Sequence, residues 1–275
     1  MKIDQAKCIG CGTCAAECFY NRIVMENHKA KLLDFSCWNC EHCVGICPVG
    51  AITEDAETMK QVVEYDEKTF HVEPQNLLNL IKLRRSMRMY KDEPVDEETL
   101  LHLLEAGRYS PNGSNRQILR YIILKDTLPQ IRDAAIEAFY AVLQRNDPEE
   151  INRVYAGNIG YNDFWKTAYP AYKEQGVDSL FYNAPAVILA VAPRDDLSMM
   201  DAGIATSNIS LLAEASGLGT CYIAFLQMAC EADPSILKQM GIADDESLLA
   251  VLAIGKPAIR YHRTVPRKEL RVDIR

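Results

Sequence analysis

Two cysteine runs of identical spacing open this chain: Cys8-x-x-Cys11-x-x-Cys14-x-x-x-Cys18, and Cys37-x-x-Cys40-x-x-Cys43-x-x-x-Cys47 followed by Pro48. Of its 10 cysteines only Cys221 and Cys230 lie elsewhere. Thiols this dense form either a disulfide framework or a metal-binding module, and a reducing cytosol disfavours the first. The N-terminal stretch MKIDQAKCIG has no apolar core of the kind an export signal needs. No apolar run reaches the roughly 18 residues of a membrane span. A cytoplasmic location with no membrane partner is therefore expected, and with it metal ligation by the clustered thiols. Zinc ribbons favour paired Cys-x-x-Cys units over triplets with a fourth, more distant cysteine.

The two runs also form an internal repeat, Cys-Ile-Gly-Cys-Gly-Thr-Cys against Cys-Trp-Asn-Cys-Glu-His-Cys. Three thiolates three residues apart can wrap one corner of a [4Fe–4S] cubane while backbone amides face its sulfides. The fourth lies too far along its own loop and reaches the cluster of the other half. Cys8, Cys11, Cys14 and Cys47 are expected to hold one [4Fe–4S] cluster, and Cys37, Cys40, Cys43 and Cys18 a second. Residues 1 to about 60 resemble bacterial two-cluster ferredoxins. Phe19 departs from that pattern, which places a proline after the fourth cysteine. His28 and His42 are read as solvated or capping, since eight thiolates complete both clusters. Residues 61–75, rich in Glu and Asp, read as a connector or a short added strand.

A different pattern begins at residue 76. Leucines and isoleucines at 77, 78, 80, 81 and 83 mark one helix, and Asp96 followed by Glu97 and Glu98 announces another. Residues 121–124, 186–192, 221–225 and 249–254 read as strands, and 128–145 and 199–216 as helices. The second helix is apolar or small on nearly every side, so either a dimer interface or a core position suits it. Helices interleaved with a few strands predict an α+β domain over 76–275. Residues 146–182, with several Tyr, Asn and Asp, read as an insertion that could form a lid.

Six segments of this domain occur in the order seen in the nitroreductase family, which includes iodotyrosine deiodinase. They are Arg-Arg-Ser-Met-Arg-Met-Tyr at 84–90, Ser-Pro-Asn-Gly-Ser-Asn-Arg-Gln at 110–117 and Asp-Ala-Gly-Ile-Ala-Thr at 201–206. Gly-Leu-Gly-Thr-Cys-Tyr-Ile at 217–223, Gly-Lys-Pro-Ala at 255–258 and Arg-Lys-Glu-Leu at 267–270 complete the set. The domain resembles that family over roughly 76–275, which implies an α+β homodimer with FMN at the subunit interface. By this resemblance Arg84, Arg85, Ser86 and Arg88 form the first flavin-binding segment and Arg267 the C-terminal one. A flavin phosphate calls for such cationic and hydroxyl donors, although the arginines alone would equally suit a helix C-terminus. Asn112 and Gly113 match the loop that reaches the partner's flavin, and Ala224 and Phe225 match backbone amides near the isoalloxazine. Alternatives for these four are a turn after the second helix and ordinary strand core. Ile118 and Leu119 depart from the proline and aromatic residue that many relatives carry there. No motif assigns a catalytic residue or a substrate, and Cys221 and Cys230 read as buried, inert thiols.

The expected architecture is thus a ferredoxin-like 2[4Fe–4S] module at 1–60, a connector at 61–75 and an α+β FMN domain at 76–275. A net charge of −8 argues against a nucleic-acid partner. No Gly-x-Gly-x-x-Gly follows a strand and no P-loop is present, so a Rossmann nicotinamide site is absent. The leading expectation is an oxidoreductase taking electrons from an external low-potential donor, such as a ferredoxin, through the clusters and FMN to a small electron-poor acceptor. Two rival readings are an electron carrier serving a protein partner and an NAD(P)H-dependent nitroreductase with accessory clusters. A third makes the clusters redox sensors.

Overall fold

A computed structural model of the chain describes residues 1–35 and 37–275. The chain divides into two compact units, Met1–Val72 with Ser114–Arg116, and Glu73–Gly113 with Gln117–Arg275. The connector therefore belongs by its contacts mostly to the first unit. It is not a strand.

In the first unit β1 (Lys2–Ile3) is followed by α1 (Thr13–Glu17), the hairpin β2 (Ile23–Glu26) and β3 (Lys29–Leu32), α2 (His42–Gly45) and β4 (Ile52–Thr53). β1 pairs with β4 and β2 with β3, both antiparallel. Two further turns of helix, α3 (Ala56–Met59) and α4 (Glu67–Phe70), lead out of the unit. Its buried residues are Ile23, Ala30, Ala51 and Ile52 with Cys8, Cys14 and Cys43. So few apolar side chains stabilise a unit of this size poorly, and bound metal is the usual remedy. The sequence repeat is also a backbone repeat. Gly10 and Gly12 have φ of 71° and 79°, and their counterparts Asn39 and Glu41 have 49° and 59°. Glycine is needed at position 10 for a second reason: a Cβ there would lie 2.0 Å from the His28 carbonyl oxygen.

The second unit begins with α5 (Pro74–Leu83), α6 (Glu97–Arg108), β5 (Arg120–Leu124), α7 (Leu128–Arg145), α8 (Pro148–Val154) and α9 (Gly160–Gln175). It continues with β6 (Ala186–Ala192), α10 (Asp196–Ala215), β7 (Gly219–Tyr222), α11 (Ala224–Ala232), α12 (Ser235–Gln239) and β8 (Ser247–Gly255). The sheet runs β5-β6-β8-β7, with every pair antiparallel. Alternate residues of β6 face opposite layers. Val187, Leu189 and Val191 meet α7, α8, α9 and α11, while Ala186 and Ile188 meet α6 and α10. Covered on both faces, β6 reads as an unbroken apolar run.

Asp96 caps α6, accepting from the Thr99 amide at 2.7 Å, as its position in the sequence predicts. α10 begins three residues earlier than its periodicity suggests, because Asp195 caps it through the Ser198 amide at 2.7 Å. Nor is α10 buried all round: Asp201, Ala202, Ala205 and Ile209 face inward, while Met199 and Met200 are exposed. The 146–182 insertion supplies α8 and α9, whose Val154, Tyr155, Trp165 and Ala168 enter the main core. On α5, Leu77, Leu78 and Ile81 stay exposed.

Candidate functional site

The first unit contains a cavity walled by Cys8, Cys11, Cys14 and Cys47, with Ile3, Ile9 and Ile52. The fourth cysteine of the second run thus stands with the first three of the first run. Cys18 in turn stands near Cys40 and Cys43. Burial pushes the Cys43 thiol up to about 11, and its thiolate neighbours Cys40 and Cys18 push the same way. Turns supply the juxtaposition: Cys47 leaves α2 toward Ala51, whose amide donates to its sulfur at 3.2 Å, and the Arg22 amide does the same for Cys18 at 3.2 Å. Among the described residues no three His, Cys, Asp or Glu side chains approach closely enough to hold a single metal ion. Tetrahedral zinc would draw four sulfurs to within about 4 Å of one another. A cavity walled by four thiols and apolar side chains fits a multi-iron core. His42 is solvated and paired with Glu17, and Phe19 lies over Trp38 with ring centroids 5.6 Å apart.

In the second unit, residues 86–91 run along β7 and past the end of β8. Met87 N–H donates to the Thr220 carbonyl at 2.8 Å, and Lys91 N–H to that of Lys256 at 2.8 Å. Gly219 permits this approach, since a Cβ there would sit 2.7 Å from the Met87 side chain. Arg84, Arg85, Ser86 and Arg88 are thereby fixed at the sheet edge. Burial lowers the pKa of Arg85, and the neighbouring Arg267 and Arg84 charges lower it further. Arg267, in the C-terminal segment, thus lies near enough for its charge to act on Arg85. Arg85 Nη2 donates to the Lys82 carbonyl at 2.9 Å, while its buried Nε has no partner. Among the described residues none of Arg84, Arg85, Arg88 or Arg267 pairs with a carboxylate within 4.0 Å. Glu214 acts on Arg84 and Arg85 from beyond ion-pair distance, and the excess of positive charge that remains fits an anionic group such as phosphate.

Arg88 sits 5.7 Å from the centre of the Tyr182 ring. Burial pulls its pKa down, and Cys221 and Tyr182 more than offset this. Cys221 and Cys230 are both buried, and burial raises both thiols, Cys230 to about 12. Ala224 and Phe225 are not strand residues; β7 ends at Tyr222 and they open α11. No side chain caps that helix, so their N–H groups lack intrahelical partners and can meet an acceptor. The Phe225 ring itself packs at 5.3 Å from Trp165 and 5.4 Å from Phe164.

The 110–117 loop is built separately. Asn112 Oδ1 accepts from the Gln117 amide at 3.0 Å, and the Gly113 amide donates to Asp201 Oδ1 at 3.0 Å. Among the described residues no hydrogen bond joins Asn112 or Gly113 to the arginine group. Asp201, buried in α10, is a loop anchor that the sequence pattern places in a motif without revealing its task. Beside the loop lies a cleft of about 250 Å³ lined by Ser110, Asn112, Gln117, Tyr121 and Asp201. The Tyr121 hydroxyl is buried with no hydrogen-bond partner among the described residues, and burial raises its pKa to about 12.

A thiolate-walled module joined to an α+β domain with a cationic edge defines the class: a redox protein with a metal-carrying module. Comparison with known proteins makes this specific. Residues 81–256 match the nitroreductase family and residues 7–51 the 4Fe-4S dicluster domain. The chain belongs to the nitroreductase family. It is 26% identical over 205 residues to the nitrobenzene nitroreductase of Ectopseudomonas oleovorans, covering 64% of this chain and 85% of that protein. Its N-terminal part is 43% identical over 56 residues to a ferredoxin of Pyrobaculum islandicum, covering 20% of this chain and 52% of the ferredoxin. The fold matches a nitroreductase with bound FMN from Bacteroides fragilis at a TM-score of 0.55 and 20% identity, covering 72% of this chain and 98% of that one. No helix among the described residues is long and apolar enough to cross a membrane.

Proposed function

We propose that this chain is an iron–sulfur flavoprotein oxidoreductase. It passes electrons from a low-potential donor through two [4Fe–4S] clusters to FMN, and on to a small electron-poor acceptor of the nitroarene, quinone or enone type. The observation that carries the reading is the union, in one chain, of a cavity walled by Cys8, Cys11, Cys14 and Cys47 with a nitroreductase-family domain. The clusters supply one-electron carriers and the flavin a two-electron carrier; the protein holds and orients them. Cys8, Cys11, Cys14 and Cys47 hold one cluster, and Cys18, Cys37, Cys40 and Cys43 the other. Arg84, Arg85 and Arg267 hold the flavin phosphate, and Ser86 and Arg88 lie beside it. The free N–H groups of Ala224 and Phe225 meet polar atoms of the ring. Asn112 and Gly113 serve the flavin of a second copy in a homodimer; the exposed apolar faces of α5 and α10 are available for that pairing. The 250 Å³ cleft beside the loop supports an enzyme over a pure carrier, because a small acceptor can enter it.

Charge-assisted hydrogen bonds contribute about 1.5–3 kcal/mol each. Arg84→Ala or Arg267→Ala is therefore expected to weaken FMN binding about ten- to a hundredfold, measured by fluorescence titration of the flavin-free protein. Unchanged affinity in both variants would assign the arginines elsewhere. The function itself is tested by anaerobic turnover against a panel of nitroarenes, quinones and enones, with reduced ferredoxin, NADH and NADPH compared as donors. Turnover driven best by reduced ferredoxin is expected. Equal or better turnover with NADH or NADPH would replace the donor, and none with any acceptor would leave a carrier.

A further inference from the structure

The repeat within the cluster module makes each half a control for the other. Several contacts cancel. The Ala51 amide on Cys47 is matched by the Arg22 amide on Cys18, both at 3.2 Å, so each cluster receives one. Two do not cancel. Thr13 occupies in the first run the place of His42 in the second. The Thr13 hydroxyl donates to Cys11 Sγ at 3.4 Å, whereas His42 Nδ1 turns away to Glu17 Oε1 at 3.2 Å. The second difference is the β2–β3 hairpin, whose turn rests on the first run. From it the Ala30 amide donates to Cys8 Sγ at 3.5 Å, and Lys29 Nζ donates to the Cys8 carbonyl, holding an ammonium beside that thiolate. In the second half the comparable cation, Arg22, lays its guanidinium over the Phe35 ring at 5.1 Å. Glu41, in the place of Gly12, adds a negative charge next to Cys40.

Hydrogen-bond donors on the cysteine sulfurs and nearby positive charge favour the more electron-rich, reduced state of an iron–sulfur cluster and so raise its potential. We propose that the cluster on Cys8, Cys11, Cys14 and Cys47 has the higher reduction potential of the two, and that the Thr13 hydroxyl is a residue-level determinant of the gap. A single electron given to the module then resides on that cluster. This inference rests on the two-cluster reading above. Thr13 does not ligate and touches the cluster only through Cys11, so it is a positioning residue that tunes the sulfur.

The test is a potentiometric titration of the anaerobic full-length protein followed by electron paramagnetic resonance, with iron measured in each variant. Wild type should carry about eight irons per chain and show two reduction waves. Thr13→Val should lower the higher wave by about fivefold in its reduction equilibrium, about 40 mV at 59 mV per tenfold for one electron. Thr13→Ser, which keeps the hydroxyl, should leave it in place. His42→Thr should raise the lower wave. Coincident waves in the wild type, or a Thr13→Val shift on the lower wave, would overturn the inference while leaving both clusters standing. A wild-type chain without about eight irons would remove the reading itself, a different failure seen before any potential is measured.

Discussion

Cys47→Ala should cost the protein about four of its eight irons, and the cluster lost should be the one assembled on the other cysteine run. Cys47 lines the same cavity as Cys8, Cys11 and Cys14 although it lies far from them in the chain. Removing one thiolate opens a corner of the cluster to solvent and chelation, and the remaining three ligands are not sufficient to retain it firmly. Pairs of substitutions identify the cluster without any spectroscopic assignment. Contributions to one shared site do not add, whereas those to separate sites do. Adding Cys14→Ala to Cys47→Ala should remove no further iron, since both serve one cluster. Adding Cys43→Ala should remove nearly all of it. The reverse pattern would mean that each run holds its own cluster, and the crossed wiring would be wrong.

The cluster module was the most legible part of the chain, because iron–sulfur ligation is written in spacing, and residues 7–51 match the 4Fe-4S dicluster domain. Eight thiols in two matched runs leave little for tertiary structure to decide. The sheet was legible for a related reason. β6 and α7 fall at the residues their apolar patterns mark, Ala186–Ala192 and Leu128–Arg145. Failures occurred where a local signal had to compete with apolar continuity. Residues 221–225 read as one strand, but the chain turns at Ile223 and starts α11, carrying Ala224 and Phe225 out of the sheet. The start of α10 was missed because Asp195 and Ser198 form its cap before the apolar pattern begins. The flavin residues are named by family resemblance alone. Arginines at 84, 85 and 267 carry no sign, in sequence alone, that they share one patch; their mutual repulsion is a property of the fold. Asp201 was visible within a motif, but its bond to the Gly113 amide depends on how α10 passes the loop. The different tasks of Thr13 and His42 lie in the fold: the hydroxyl reaches Cys11, and the imidazole turns to Glu17.

The second large effect concerns why two redox modules share a chain. The chain passes from the first unit to the second through the acidic stretch that carries α4, so clusters held in the first are tethered to the flavin domain. For short flexible links the effective local concentration reaches roughly the millimolar range. An external ferredoxin present at micromolar levels meets the flavin far less often. A chain beginning at Glu73 keeps every flavin-binding residue named above and begins where the second compact unit begins. It should bind FMN, and its flavin should be reduced by a small chemical donor at a rate within a fewfold, roughly, of that in the full chain. Reduction by ferredoxin should be slower by roughly two orders of magnitude, because the donor must then reach the flavin itself and not through clusters tethered at roughly millimolar local concentration.

Stopped-flow measurement of flavin bleaching by reduced ferredoxin, made anaerobically on the full chain and on the chain from Glu73, therefore tests the central claim that the cluster module is the flavin's electron inlet. Fast bleaching is expected in the full chain, and a loss of at least about a hundredfold without residues 1–72, with the small donor unaffected. Equal rates with reduced ferredoxin in the two proteins would contradict it, leaving the clusters as sensors or outlets.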